Sequence, residues 1–346
     1  MAIKVLVVDD SALMRKHLTD LFSGAGFEVC IARHGKEAVS QVLAELPDVV
    51  TLDINMPEMD GLTALSLIMA ARPTPVIMVS SLTEKGALAT LEALAMGAVD
   101  YVAKPGGTIS LSISSISADL VQKVRVASRA KLKSSPQLNR TAAAKPKVAV
   151  TTSPVAACGV VLIGVSTGGP RTLEEILPLL PADFPWPVIV AQHMPAAFTA
   201  SFASRLNSLC ALDVQEVASL QEIRPGQVYI GKGGGDITLT KRADRLYVQP
   251  KPESTSYLWH PSVDLLTESA LEHLAPNALI GVLLTGMGDD GAKAMTQLKQ
   301  HGGRTIAESE ETAVVFGMPR ELAARGGATL VLPAYKIATQ LVSWLR

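Results

Sequence analysis

Short apolar runs alternate with helix-length amphipathic segments over the first hundred residues of the chain. The runs are Ile3–Val8, Phe27–Ala32, Val49–Leu52, Val76–Val79 and Val99–Val102. Short apolar runs separated by helices are typical of buried parallel strands joined by helical crossovers. The pattern therefore predicts an α/β domain with a five-stranded parallel sheet between helices, closed by a helix from about Ile109 to Ala127.

A second α/β pattern occupies the C-terminal half. Its main segments are strands at Val160–Ile163, Val188–Val190 and Ala278–Leu284 and a final helix near Tyr335–Leu345. Between Val214 and Val248, shorter alternating runs broken by glycine predict antiparallel strands on one edge. We expect a doubly wound, mostly parallel α/β domain with an antiparallel edge.

The composition changes between the two patterns. Lys131–Pro154 is rich in Lys, Ser, Thr, Ala and Pro and lacks apolar periodicity, which is typical of a flexible linker. A chain of 346 residues accommodates about two domains. We therefore expect a first domain at residues 1–119, a basic flexible linker at 120–158 and a second domain at 159–346.

Charge separates the same three segments. The first domain has 8 Lys/Arg and 14 Asp/Glu, and the linker has 8 Lys/Arg and no Asp/Glu. The second domain has 15 Lys/Arg and 18 Asp/Glu, and the net charge of the whole chain is −1. Neither domain has the basic surface expected of a nucleic-acid-binding domain, so no nucleic-acid partner is expected. The content of 48% hydrophobic and 18% charged residues excludes a disordered polypeptide.

The sequence favours a cytoplasmic location. No apolar run approaches the ~18 residues of a membrane span, so no membrane insertion is expected. The first residues lead into a strand-like run without a signal-peptide pattern. Cys30, Cys158 and Cys210 are too widely spaced for a CxxC metal site, and reduced thiols are expected.

Carboxylates follow two strands of the first domain. Asp9 and Asp10 come directly after the first apolar run and Asp53 after the third, whereas Ser80 and Lys104 follow the fourth and fifth. The carboxyl ends of parallel strands share one edge of a sheet, so these side chains are expected to meet there. Converging carboxylates favour a bound cation, and oxygen ligands suit Mg²⁺. The alternative for each acid alone is a helix cap.

The first domain resembles the receiver domain of bacterial response regulators over residues 3–119. The matching segments are Val7–Ser11, Asp53–Gly61, Ser80 and Tyr101–Pro105. The resemblance implies a flavodoxin-like (βα)5 fold in which Asp53 accepts a phosphoryl group from a histidine kinase. It also implies a Mg²⁺ site and a set of switch residues. The implied Mg²⁺ ligands are Asp9, Asp10, Asp53 and the Asn55 carbonyl, and the implied switch residues are Ser80, Tyr101 and Lys104.

The second domain begins with a G-x-S-x-G sequence, Gly164–Gly168, between a predicted strand and a predicted helix. This context exposes a serine hydroxyl beside a helix N-terminus, so Ser166 is a candidate nucleophile. The alternative is a structural or phosphate-binding glycine-rich turn.

A serine nucleophile needs a base and an orienting acid. The histidines are His17, His34, His193, His260, His273 and His301. Only His193 directly follows a buried-looking strand, and His260 is the other histidine left open. Asp289 and Asp290 follow the strand that ends near Leu284. The order Ser, His, Asp differs from that of α/β-hydrolases, which disfavours that fold family but leaves a triad available.

Four motifs of the second domain are similar to the catalytic domain of chemotaxis protein-glutamate methylesterases, the CheB family, which also carry an N-terminal receiver. They are Gly164–Pro170, Gln192–Pro195, Pro261–Asp264 and Leu284–Ala292. The resemblance implies Ser166 as nucleophile, His193 as general base, Asp290 as orienting acid, the Met287 N–H in the oxyanion hole and Thr167 in support. It also implies methyl-accepting chemoreceptors as substrates, hydrolysis of their γ-glutamyl methyl esters, and deamidation of receptor glutamines.

Two segments depart from the family pattern. Gly231–Asp236 replaces a strand ending Ala-Pro-Gly, and His260 stands where Arg usually precedes Pro-Ser-Val-Asp. Both are expected to border the active-site cleft, and Gly231–Asp236 is expected to form a hairpin turn. Two other functions compete with the esterase: a non-enzymatic signalling adaptor, which a complete triad opposes, and a DNA-binding regulator, which an acidic second domain opposes.

Overall fold

The computed structural model describes residues 2–81, 83–104, 109–130, 132 and 159–345 of the chain. The chain divides into two units, Met1–Leu138 and Asn139–Arg346, and each is described by itself.

The first unit is a five-stranded parallel sheet in the order β2-β1-β3-β4-β5. Its elements are β1 (Lys4–Val8), α1 (Ala12–Gly24), β2 (Glu28–Ala32), α2 (Gly35–Glu45), β3 (Val49–Asp53), α3 (Gly61–Ala71), β4 (Val76–Ser81), α4 (Glu84–Met96), β5 (Asp100–Lys104) and α5 (Ile109–Ala127). The predicted strand count, the parallel pairing and the closing helix are confirmed. β1 and β3 are interior strands of the sheet, and their apolar side chains are almost fully buried.

Side-chain caps explain where several of these helices begin. Ser11, Asp60 and Thr83 each accept a hydrogen bond from the backbone N–H three residues later. Such caps satisfy N–H groups that have no partner within the helix. Each helix therefore starts soon after its strand ends, which leaves a short loop at the carboxyl edge of the sheet.

The beginning of the predicted linker belongs to the first unit. Residues 120–127 are the last part of α5, and Leu120 and Val124 are buried there. The prediction of a linker from residue 120 is wrong at that end, because the apolar stripe of the helix continues to Ala127. Residues 131 and 133–158 of the predicted linker lie outside the described residues.

The second unit contains two sheets. Its elements are β6 (Val160–Val165), α6 (Gly169–Ile176), β7 (Val188–Gln192), α7 (Ala196–Leu209), β8 (Asp213–Val217), β9 (Gln221–Glu222), β10 (Gln227–Gly231), β11 (Asp236–Arg242), β12 (Arg245–Lys251), α8 (Val263–Leu271), β13 (Leu279–Leu283), α9 (Ala292–Gln300), β14 (Arg304–Glu308), α10 (Met318–Ala324), β15 (Leu330–Leu332) and α11 (Ala334–Leu345). The larger sheet is parallel, in the order β15-β14-β13-β6-β7-β10-β8, and the smaller is antiparallel, in the order β11-β12-β9. The α/β class with a mostly parallel sheet and an antiparallel part is confirmed.

Two details between residues 214 and 248 differ from prediction. β8 and β10 are parallel members of the larger sheet, so only β9, β11 and β12 are antiparallel. Gly231–Asp236 connects β10 to β11, which lie in different sheets, and is therefore not a hairpin turn. β10 is buried on both faces and β8 lies at the edge of the larger sheet. The short apolar run of each strand does not show whether its partner is parallel or antiparallel.

The two sheets share one hydrophobic core. Leu162 and Ile189 of the larger sheet, Leu239 and Val248 of the smaller sheet, and Leu266 of α8 belong to a single buried cluster. The cluster fixes α8 and the antiparallel sheet beside β6 and β7. Across the described residues, no helix is both long enough and apolar enough to cross a bilayer.

Candidate active site

The centre of the larger sheet positions three loops of the second unit. β6 lies between β13 and β7, so the chain leaves β6 toward β7 on one side and returns through β13 on the other. Such a change of direction opens a crevice at the carboxyl ends of the strands. Ser166 follows β6, His193 follows β7 and Asp290 lies in the loop after β13. These are the three residues of the predicted triad.

The turn at Ser166 is held by backbone hydrogen bonds. The Ser166 N–H donates to the Thr285 carbonyl over 2.9 Å, and the Ser166 carbonyl accepts from the Gly169 N–H over 2.8 Å. Gly168 has a φ of +79°, and a Cβ there would lie 2.7 Å from the Cβ of Val314. Glycine is required here by both conformation and space, and α6 starts at the next residue.

His193 and Asp290 form a buried pair. The Nε2 of His193 lies 2.9 Å from Oδ2 of Asp290, and the two side chains are 8% and 6% exposed. Nδ1 of His193 is buried and makes no hydrogen bond within the described part of the chain. In serine proteases the acid contacts Nδ1, whereas here it contacts Nε2. Because Nε2 donates its proton to the carboxylate, the lone pair of the imidazole lies on Nδ1.

Asp290 accepts hydrogen bonds on both oxygens. Oδ2 also accepts from the Val263 N–H over 2.7 Å, and Oδ1 accepts from the Ser262 hydroxyl over 3.1 Å and the Asp264 N–H over 3.0 Å. The carboxylate therefore caps the first turn of α8. Burial raises the pKa of Asp290, but the His193 side chain and these backbone N–H groups outweigh it, and the pKa is lowered. Asp290 stays ionised and holds the Nε2–H tautomer.

Its neighbour in sequence, Asp289, faces away from this pair. The side chain is 63% exposed and contacts Arg325, with Oδ2 2.9 Å from the guanidinium. The structure thus separates the two adjacent acids, of which only Asp290 reaches His193.

The loop after β13 places a peptide group beside Ser166. A Cβ on Gly286 would lie 2.7 Å from the Cβ of Ser166. The Gly286 carbonyl accepts from the N–H groups of Gly317 and Met318, over 3.1 and 2.9 Å. The carbonyl and the following N–H point in opposite directions in a trans peptide, so the Met287 N–H points away from α10.

Thr167 is joined to the same loop. Its carbonyl accepts from the hydroxyl of Thr285 over 2.9 Å, and Thr285 is fully buried. The Thr285 hydroxyl also accepts from the Val315 N–H over 2.9 Å. The nucleophile turn, the loop after β13 and the segment before α10 are therefore one hydrogen-bonded unit.

Sequence reasoning gave no role to Gln192. Its buried side-chain amide donates to the carbonyls of Ser166 and His193, over 3.0 and 3.1 Å, and so joins the two turns. A Cβ on Gly169 would lie 2.1 Å from Oε1 of Gln192, so the turn leaves room for this side chain. A polar residue at the end of an apolar strand was the available signal.

The two segments that depart from the family pattern lie at this site. A Cβ on Gly233 would lie 1.9 Å from the Met194 carbonyl, so glycine permits the loop to pack against the residues that follow His193. His260 contacts Asp236, with Nδ1 3.0 Å from Oδ1. Its neighbour Trp259 is stacked on the imidazole of His193. No sequence pattern singled out Trp259.

The first unit has its own cluster at the carboxyl edge of its sheet. The ammonium of Lys104 lies 2.8 Å from Oδ2 of Asp9 and 2.8 Å from Oδ2 of Asp53. Side-chain oxygens of Asp9, Asp10 and Asp53 lie within 4.8 Å of one another. The predicted acids and the lysine are therefore brought together.

Burial and charge compete in this cluster. Burial raises the pKa of Asp53, and Lys104 opposes that shift only in part. Burial lowers the pKa of Lys104, but Asp53 and Asp9 outweigh it and raise the pKa, so the ammonium stays charged. Oxygen donors grouped in this way fit Mg²⁺, which prefers carboxylates and retained waters, and exposed Asp10 leaves one side open to solvent.

The other predicted receiver residues lie in or after β3, β4 and β5 and differ in their burial. Ser80 is buried in β4, and its hydroxyl donates to the Gly86 carbonyl over 3.3 Å. Tyr101 is 4% exposed in β5, and the ammonium of Lys123 lies 5.5 Å from its ring centroid. Asn55 is exposed in the loop after β3.

Comparison with known proteins agrees with both halves of this architecture. Residues 161–341 match the CheB methylesterase family, and residues 5–113 match the response regulator receiver domain. A protein of Rhodospirillum rubrum named protein-glutamate methylesterase/protein-glutamine glutaminase 3 is 57% identical, covering 99% of this chain and 96% of its own length. A protein of Rhodopseudomonas palustris named protein-glutamate methylesterase/protein-glutamine glutaminase 2 is 51% identical, covering 99% and 98%.

A solved structure resembles the second unit. The CheB methylesterase catalytic domain of Thermotoga maritima is 43% identical, with a TM-score of 0.52, covering 54% of this chain and 97% of its own. Family matches to both halves and close similarity over nearly the full length lead to one assignment. The chain belongs to the CheB family of protein-glutamate methylesterases, with an N-terminal receiver domain and a C-terminal methylesterase domain.

Proposed function

We propose that this chain hydrolyses γ-glutamyl methyl esters on methyl-accepting chemoreceptors and deamidates receptor glutamines, with Ser166, His193 and Asp290 as its triad. The observation that carries the proposal is the buried His193–Asp290 pair beside the Ser166 turn, at the crevice where the larger sheet changes direction. The names of the two full-length relatives give glutamate methyl esters and glutamines of proteins as the substrate groups.

Ester cleavage begins at Ser166. Its hydroxyl oxygen attacks the ester carbonyl while its proton passes to Nδ1 of His193, the ring nitrogen whose lone pair Asp290 leaves available. Asp290 stabilises the resulting imidazolium through Nε2. His193 then returns the proton to the departing methoxide, which leaves as methanol, and an acyl-Ser166 remains.

Negative charge develops on the carbonyl oxygen during this step. We assign its stabilisation to the Met287 N–H, with Thr167 and Thr285 holding the loop beside Ser166. Water then attacks the acyl group, His193 again takes a proton, and glutamate and Ser166 are released. A glutamine side chain follows the same path with ammonia as the leaving group.

We further propose that the receiver accepts a phosphoryl group on Asp53 from a chemotaxis histidine kinase. Asp9, Asp10, Asp53 and the Asn55 carbonyl would hold Mg²⁺, whose charge supports phosphoryl transfer. Lys104 already lies against Asp53 and would contact the phosphoryl oxygens. Ser80 and Tyr101 would respond to the added group as switch residues. This activity belongs in the cytoplasm, where receptor helices and the kinase are accessible.

The proposed activity is tested by release of methanol from membranes that carry methylated chemoreceptors. We expect the purified chain to release methanol, and to release ammonia from receptors with unmodified target glutamines. Absence of both products from a folded preparation would contradict the proposal and favour the non-enzymatic adaptor.

Regulation gives a separate prediction. A small-molecule phosphodonor with Mg²⁺ is expected to raise the rate of methanol release, by about ten-fold for a coupling of typical size. Asp53→Asn removes the phosphoryl acceptor, so its rate should not respond to the donor. The exposed Asp60 is a matched control, since Asp60→Asn alters a cap of α3 but leaves Asp53 in place. A response in Asp53→Asn equal to that of the unaltered chain would show that Asp53 is not the acceptor.

A further inference from the structure

A tryptophan lies against the imidazole of the proposed base. The ring centroids of Trp259 and His193 are 5.5 Å apart, and the ring planes differ by only 10°. On the oxyanion side, a Cβ on Gly288 would lie 3.4 Å from Nε1 of Trp259. The indole therefore lies close both to His193 and to the loop that carries Met287.

The segment that carries Trp259 is anchored on both sides. Oδ2 of Asp236 accepts from the Ser254 N–H over 2.8 Å, and Oδ1 accepts from the Ser262 N–H over 2.8 Å. His260 contacts the same carboxylate, which is almost fully buried. One buried acid thus fixes the chain before and after Trp259. Trp259 is itself partly buried, whereas Leu258 is 82% exposed.

We propose that Trp259 is a positioning residue for His193: its indole face holds the imidazole plane and stabilises the imidazolium that forms when Ser166 attacks. This inference rests on the proposed serine mechanism and adds a residue to it. Aromatic faces carry negative charge density that attracts cations, and tryptophan does so most strongly. His193 gains positive charge as it takes the proton of Ser166, so the contact strengthens in the transition state.

A different role for Trp259 makes a different prediction. As a wall of the substrate cleft, it would contribute to receptor binding, and its removal would raise KM. As a partner of His193, it acts on the chemical step, and its removal lowers kcat. A phenyl ring retains an aromatic face over the imidazole, whereas a leucine side chain fills part of the space without one. Trp259→Phe and Trp259→Leu therefore distinguish stacking from packing.

The test measures how fast a fluorophosphonate probe labels Ser166 in the full chain. In labelling, the serine oxygen forms a bond to phosphorus, fluoride leaves, and His193 takes the serine proton. We expect Trp259→Leu to be labelled about ten-fold more slowly than the unaltered chain, and Trp259→Phe to stay within about three-fold of it. Leu258→Ser, a change at the exposed neighbour, should label at the unaltered rate. On methylated receptor, the loss in Trp259→Leu should fall on kcat with KM nearly unchanged.

Each outcome decides the inference. Slow labelling of Trp259→Leu with rescue by Trp259→Phe supports it, provided that both variants unfold at the temperature of the unaltered chain. Equal labelling of the unaltered chain, Trp259→Leu and Trp259→Phe overturns it. An equal loss of labelling rate in both Trp259 variants also overturns it, and so does a change in receptor hydrolysis that is confined to KM. If Ser166→Ala is labelled as fast as the unaltered chain, the serine mechanism itself fails, and this inference fails with it.

Discussion

Ser166→Ala is expected to lower kcat for methanol release by about 10⁶, because a triad without its nucleophile retains only the contributions of binding and the oxyanion hole. The change removes one hydroxyl oxygen. The turn itself is held by backbone groups, through the Ser166 N–H to Thr285 and the Ser166 carbonyl to Gly169 and Gln192. The variant should therefore fold normally and bind methylated receptor as tightly as the unaltered chain.

Ser208→Ala is a matched control for this loss. Ser208 is an exposed serine of α7 whose hydroxyl donates to the Arg205 carbonyl, and its removal should leave kcat unchanged. Rates for all three proteins would be compared at saturating receptor. Retention of more than a few per cent of activity by Ser166→Ala would contradict a serine nucleophile.

The positions of the triad residues could be predicted because each follows a strand of one parallel sheet. An apolar run shows where a buried strand lies, and its last residue marks the edge at which the next side chains appear. Ser166 and His193 lie one residue after their strands. In the receiver, Asp9 likewise follows β1, and Asp53 is the last residue of β3. This reasoning needs only the ends of the strands and their parallel pairing, and both can be predicted from the sequence.

Contacts that cross between loops could not be predicted in the same way. Gln192, Trp259 and Asp236 act through neighbours that are distant in sequence, and their spacing carries no periodic signal. The choice of Nε2 as the ring nitrogen of His193 that contacts Asp290 depends on the direction from which the loop after β13 approaches. That direction follows from the packing of α8 against the sheets and not from any local pattern.

The packing of α8 also explains why the sequence did not show that Asp290 caps this helix. Asp290 bonds to the N–H groups of Val263 and Asp264, more than twenty residues away, and to the hydroxyl of Ser262. The Pro-Ser-Val-Asp motif therefore supplies donors for the triad acid. In the sequence it could be matched to a family but not given that task.

Asp290→Asn is expected to lower kcat by about 10⁴, the size of loss seen when the equivalent acid of a serine protease is changed in this way. Asp290 accepts from His193 Nε2 and from the backbone. An asparagine that turns its NH₂ toward Nε2 donates to that nitrogen, so the ring proton moves to Nδ1 and the lone pair needed by Ser166 is lost. An asparagine that turns its oxygen toward Nε2 places its NH₂ group against the hydrogen-bond donors at the start of α8, where two donors face each other.

Asp289→Asn is the matched control for that loss, since it makes the same chemical change one residue earlier. Asp289 pairs with Arg325 at the surface, and exposed pairs of this kind contribute about 0–1 kcal/mol to stability. The control variant should therefore keep kcat within about two-fold of the unaltered chain. Both variants would be compared at saturating receptor, with Ser166→Ala as the baseline. A larger loss in Asp289→Asn than in Asp290→Asn would reverse the assignment, because it would mean that the exposed acid, and not the one buried against Nε2, orients His193 during turnover.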